Sequence, residues 1–112
     1  MVKQGSILGV IINPKKKTDG AYKPVVVISN DTFFKKTGLV IACPIIFEEQ
    51  KKDFPLHVRL DDRTKTVGTI YCECVRTLAL REMSYREVGE SVPRDILEGI
   101  CNIVFSEIEV DG

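Results

Sequence analysis

The stretch Tyr22-Lys-Pro-Val-Val-Val-Ile-Ser-Asn30, continued by Asp31-Thr-Phe-Phe-Lys-Lys-Thr-Gly38 and Leu39-Val-Ile-Ala-Cys-Pro44, decides how the chain folds. Val25–Ile28 and Leu39–Ala42 are β-branched or aliphatic runs too short for buried helices. Turn residues bound both, so both read as core strands. Between them, Asn30 and Asp31 offer side-chain caps for a short helical turn over Thr32–Lys36, which Thr37-Gly38 ends. Pro24 suits the first residue of a strand, where no ladder donor is lost. Lys23 therefore stands at a strand mouth beside a polar loop. A cation there is either an anion-binding group or a solvated edge lysine. An echo of this stretch runs from Gly68 to Arg81.

Working outward, Ser6–Ile12 reads as a first strand that stops at the turn dipeptide Asn13-Pro14. Lys15, Lys16 and Lys17 follow in a loop with Thr18, Asp19 and Gly20, without an apolar anchor. Three adjacent lysines can grip phosphates as point charges, or simply sit in solvent. The third strand extends from Leu39 to about Ile46, and Phe47–Asp53 is charged and loop-like. Phe54–Leu60 alternates apolar and polar residues, as a half-buried strand does. In that alternation His57 points outward with Arg59, so a surface histidine is expected. Val67–Val75 reads as one more strand, with a bulge at Gly68. Tyr71, Glu73 and Val75 would share one of its faces, Cys72 and Cys74 the other.

Glu73 is the chemical oddity of the chain. A carboxylate in so apolar a strand is costly to bury without a partner. Either it pairs with a cation, for which Arg76 and Arg81 are the candidates, or it opens into a cleft. Leu78–Arg81 is compatible with a helical turn, and Met83–Val88 with a late strand. Pro93 suits the first turn of a helix. Ile96, Leu97, Ile100, Ile103, Val104 and Ile108 follow at helical spacing, which predicts a helix over 93–109 packed on the sheet.

The whole chain of 112 residues is the size of one domain. Its hydrophobic content of 44% and charged content of 29% are those of an ordinary globular protein. No apolar run approaches the ~20 residues that span a bilayer, and the first residues carry no secretion-signal pattern, so a cytoplasmic protein is expected. Net charge is zero but unevenly spread. Residues 1–81 carry 14 Lys/Arg against 8 Asp/Glu, and residues 82–112 carry 2 against 8. A basic front half can face a polyanion, or the two halves can neutralise each other. Cys43, Cys72, Cys74 and Cys101 show no C-x-x-C spacing, so buried free thiols are expected rather than zinc ligands or disulfides.

Taken in order, these pieces resemble the MazF/PemK family of type II toxins. The marks are Gly5, Asn13-Pro14, Lys23–Ser29, Lys35–Val40, Cys43-Pro44-Ile45, Phe54–Val58, the block Val67–Leu78 and Val92-Pro93 before the last helix. The resemblance covers nearly the whole chain. It implies a mainly β fold, a small SH3-like β-barrel with a C-terminal helix packed on the sheet, and a homodimer. It also implies sequence-selective cleavage of single-stranded RNA without a metal or other cofactor, blocked by a cognate antitoxin. The attacking group would be the ribose 2′-OH, whose requirement excludes DNA. On this resemblance Lys23, Glu73 and Arg76 are the catalytic candidates. Lys15, Lys16, Lys17, Tyr22, Tyr71 and Arg81 are the substrate-binding ones. Two positions depart from the family pattern. Lys23 stands where most members have arginine, and Ile46 stands where they have the catalytic threonine. The alternative is a toxin-like protein without catalysis that binds an antitoxin or another protein. An SH3-like adaptor for proline-rich peptides is a weaker third reading, because the chain has no Trp and three Tyr.

Overall fold

The computed structural model describes residues 1–11, 22–48 and 53–112. Among the described residues, seven strands and two helices follow one another in the order β1 (Ser6–Val10), β2 (Lys23–Val27), α1 (Asp31–Thr37), β3 (Leu39–Ile46), β4 (His57–Arg59), β5 (Thr69–Tyr71), β6 (Arg76–Ala79), β7 (Tyr85–Ser91) and α2 (Arg94–Ile108). A 3-10 turn, Leu80–Glu82, links β6 to β7. All pairings are antiparallel, and the sheet runs β4-β5-β3-β2-β1-β7, with β6 also on β3. This path does not close, so the barrel implied by the resemblance is an open sheet carrying a C-terminal helix.

The Val-Val-Val run of β2 is apolar throughout because the centre of the sheet is covered on both sides. Ile7, Val26, Ile28, Cys43, Ile45 and Ile70 form one cluster with Ile96 and Ile100 of α2. Leu8, Val10, Val25, Val27, Val40 and Ala42 form the other with Leu78 and Leu80, and Phe34 of α1 packs against it. Successive residues of a strand point to opposite faces, so β1 and β2 supply alternate side chains to the two clusters. The α2 stripe runs from buried Ile96 and Ile100 to Phe105 and Ile108, which are exposed.

Asn30 caps α1 by accepting the Phe33 N–H at 2.9 Å. Asp31 instead accepts the N–H of Gln4 at 2.7 Å and ties the first residues to the helix. Gly38 ends α1 with φ 72° and returns its N–H to Phe34 O at 2.8 Å.

Two expectations need correction. The half-buried strand over Phe54–Leu60 shrinks to His57–Arg59, with Phe54 O accepting the His57 N–H at 3.0 Å in a turn. The strand over Val67–Val75 is broken. β5 stops at Tyr71, the Cys74 N–H returns to Tyr71 O at 3.2 Å, and β6 begins only at Arg76. The break follows from what β3 pairs with. Its residues 39–42 take β6 and its residues 45–46 take β5, so the chain between β5 and β6 must turn as it changes places. Glu73 thus lies in a turn, not within a strand, and the expected shared faces of 71–75 do not exist.

Candidate active site

Lys23 opens β2, opposite Val10 of β1, and is exposed. Arg76 opens β6, opposite Ala42 of β3. The curl that brings both strand starts together leaves a cavity of about 380 Å³ between them. Its wall is Lys23, Pro24, Val25, Ala42, Pro44, Ile45, Ile46, Cys74, Val75, Arg76 and Leu78. Two cations therefore stand over a floor that is otherwise nearly all apolar. Both cations are themselves exposed, so an anion can reach them from solvent. Ile46 is 38% exposed and presents a hydrocarbon side chain to this cavity.

The turn between β5 and β6 puts Cys74 and Val75 in the cavity wall, and Glu73 precedes them in the same turn. Neither Arg76 nor Arg81 is its partner. His57 Nε2 donates to Glu73 Oε2 at 2.9 Å. β4 and β5 set His57 directly opposite Tyr71, and the two rings stack 3.8 Å apart at 14°. Phe54 covers His57 further, at 4.7 Å and 50°. The imidazole side chain is 13% exposed, so the expected surface histidine is instead an enclosed one. Asp53, Phe54, Pro55, His57 and Arg59 border a second, more open hollow, where Arg59 pairs with Asp53 at 2.8 Å. Sequence reasoning missed this group. The one signal within reach was that the chain has a single histidine, set in a run with an aromatic and two charged neighbours.

The other candidates scatter. Tyr22, next to Lys23, lies under the Arg86 guanidinium at 4.3 Å from its ring centre. Arg81 sits over the Phe34 ring at 5.7 Å, against α1 and Gly38, and takes no part in the cavity wall. Tyr71 gives one face to His57. Lys15, Lys16 and Lys17 lie outside the described residues.

All four cysteines are free thiols. Cys43 and Cys72 are buried together beneath α2, where the Cys72 thiol donates to Ile70 O at 3.9 Å. The adjacent Cys72 thiol and burial hold the Cys43 proton far above the ordinary thiol range, and the adjacent Cys43 lowers Cys72. Burial also raises Cys101. Cys74 departs from expectation, since it is exposed at the cavity wall. Among the described residues, no three His, Cys, Asp or Glu side chains are grouped to hold a metal ion, and no helix is long and apolar enough to cross a membrane.

An antiparallel sheet with a C-terminal helix and a cationic cavity at its strand starts defines a class of small β proteins. Comparison with family models narrows it. Residues 3–104 match the model described as PemK-like, MazF-like toxin of type II toxin-antitoxin system, and the chain belongs to that family. A comparison with curated proteins returns no match. Among solved structures, the chain is similar to a MazE-MazF structure from Deinococcus radiodurans, with 21% identity and a TM-score of 0.79 over 98% of this chain and 97% of that one. MazF from the same organism gives 21% and 0.78 over 97% of each chain. An endoribonuclease in complex with its cognate antitoxin from a mycobacterial species gives 15% and 0.78, over 100% of this chain and 99% of that one. At such identities the likeness speaks for the fold.

Proposed function

We propose that this protein is the toxin of a toxin-antitoxin pair and cleaves single-stranded RNA through its own 2′-hydroxyl. The observation that carries the reading is the convergence of Lys23 and Arg76 on one apolar-floored cavity, with the Glu73 turn at its side. Lys23 and Arg76 would hold the scissile phosphate and offset the charge that builds on it as the fifth bond to phosphorus forms. Glu73 would take the 2′-OH proton. The 2′ oxygen then attacks phosphorus, the bond to the 5′ oxygen breaks, and the leaving oxygen takes a proton from solvent water. The products are a 2′,3′-cyclic phosphate and a 5′-OH end. Family membership and the solved MazE-MazF and endoribonuclease–antitoxin structures support an antitoxin as partner and a homodimer as the working form. An acidic antitoxin segment would compete with RNA for the same cations.

The test is a digest of long single-stranded RNA in EDTA by purified protein, alongside Lys23→Ala. Cutting by the wild type and its loss in the variant are expected. RNA left intact at high protein concentration rejects the reading.

One observation favours a second reading, a non-catalytic binder of an antitoxin or another protein. Ile46 lines the cavity with hydrocarbon where the family's threonine would offer a hydroxyl. Co-purification of a small acidic partner, with no RNA affinity even at low salt, would support it. RNA affinity that falls steeply with salt would count against it.

A further inference from the structure

Glu73 stands at the tip of a turn, with its side chain 32% exposed. A glutamate so placed has several rotatable bonds and spreads its carboxylate over many positions. A general base has to be held within hydrogen-bond reach of the proton it removes. Something must fix this carboxylate if it is to act, and the fold supplies one device for it.

We infer that His57 is a positioning residue for Glu73. The inference rests on the cleavage reading above. Three separate contacts fix the imidazole before it meets the carboxylate. The β4–β5 register sets His57 opposite Tyr71, and the rings lie flat on each other at 3.8 Å. Phe54 closes over it at 4.7 Å, and the turn that delivers Phe54 is locked by the His57 N–H bonding to Phe54 O. The Cys72 N–H bonds to Leu56 O at 3.0 Å, so the first residue of the Glu73 turn is tied to the residue next to His57. With ring plane and backbone both set, Nε2–H has one direction to point, and Glu73 Oε2 lies there at 2.9 Å. A carboxylate accepts only, so the ring nitrogen is the donor. One oxygen of Glu73 is thereby anchored, and the other is left to meet the substrate proton.

His57 performs no proton transfer to RNA in this scheme; its effect passes through Glu73. The magnitude follows from orientation. Misplacing a reacting group by about an ångström costs on the order of 100-fold in rate.

Three substitutions separate donor from stack. His57→Phe keeps an aromatic ring against Tyr71 and deletes the donor. His57→Gln keeps an N–H near the Nε2 position and deletes the ring. His57→Ala deletes both. Single-turnover cleavage of single-stranded RNA, with melting curves to verify folding, is expected to show a large fall in rate for His57→Phe and His57→Ala. His57→Gln should restore most of the loss. His57→Phe cutting as fast as wild type, or His57→Gln failing as badly as His57→Ala, overturns the role.

A second readout does not depend on cleavage. The chain has a single histidine, so its imidazole nitrogens give one unambiguous NMR signal set. In the wild type this should report a proton on Nε2 held in a hydrogen bond, and Glu73→Gln should shift it. Signals unchanged by Glu73→Gln mean that the contact is absent in solution and overturn the inference. Wild-type protein that leaves RNA intact overturns the cleavage reading and the positioning role with it, while the NMR result still decides whether the pair exists.

Discussion

Ile46→Thr would put a hydroxyl into the wall of the Lys23–Arg76 cavity, and its effect can be worked out from the structure. Residue 46 ends β3, pairs with Thr69 of β5, and is 38% exposed. Threonine is β-branched like isoleucine and suits a strand, so the backbone has no reason to move. The swap removes two carbons. At ~0.8 kcal/mol per buried CH₂, scaled for the part of the side chain that is covered, the loss of stability is about 1 kcal/mol. Against that stands a new donor facing the cavity proposed to hold the phosphate. Donors aimed at charge developing in a transition state are worth about 100- to 1000-fold in rate. The open side of residue 46 lets water compete, so the lower end, about 100-fold, is the expected gain. The assay is single-turnover cleavage of an end-labelled RNA in EDTA, with Ile46→Val as the control that trims the side chain without adding a hydroxyl. Ile46→Thr no faster than Ile46→Val, with both variants folded, would refute the placement of phosphate at this cavity.

Other consequences are open to measurement. Arg63 holds Asp61 and Asp95 at 2.8 Å each, and its bonds keep both carboxyls below their ordinary range. Each binds its proton more readily in the unfolded chain, so each adds stability above the unfolded value that is lost as pH falls through the lowered folded one. Arg63→Gln should therefore melt below wild type near neutrality, with the gap closing on acidification; a gap independent of pH contradicts this. Glu90 accepts from Thr66 Oγ1 and from the N–H groups of Thr66 and Lys65, which likewise lowers its carboxyl. Glu90→Gln should loosen the 61–66 turn, seen as faster hydrogen exchange at those amides. Gly68→Ala places a methyl 2.8 Å from Ile45 Cγ2 and 2.9 Å from Ile46 O at φ 148°. It should cost about 1–3 kcal/mol in chemical denaturation, from crowding and backbone strain together. Under native conditions, Cys74 should react with a maleimide well before Cys43 or Cys72, which are buried. Modification in the reverse order would show that α2 lifts from the sheet.

Much of the fold is legible in the sequence because its signals are local. Val25–Val27 and Leu39–Ile46 announce themselves by composition, Asn30 and Gly38 by their capping chemistry, and α2 by its apolar stripe. The break after Tyr71 is not legible. Gly68-Thr-Ile-Tyr-Cys-Glu-Cys-Val75 looks like continuous strand, and only the exchange of β3's neighbours from β6 to β5 forces a turn there. The same holds for the site. Lys23 is marked by its place before Pro24, and Glu73 by its apolar surroundings, but the sequence gives no hint that Glu73 faces a residue 16 positions earlier. His57 follows the outward phase of its alternation faithfully; it is Phe54 and Tyr71, brought up by turn and register, that enclose it. Arg81 shows the opposite failure, since a basic residue close in sequence to Glu73 is drawn to the Phe34 ring.

Replacing the single ribose 5′ to a mapped cut by its 2′-deoxy form tests the central claim most directly. In EDTA the protein should cut the all-ribose strand to a 2′,3′-cyclic phosphate and a 5′-OH end, leave the substituted strand whole, and lose the cut in Lys23→Ala. A substituted strand still cut at that bond, or a 5′-phosphate on the product, would contradict an attack by the RNA's own hydroxyl at the Lys23–Arg76 cavity.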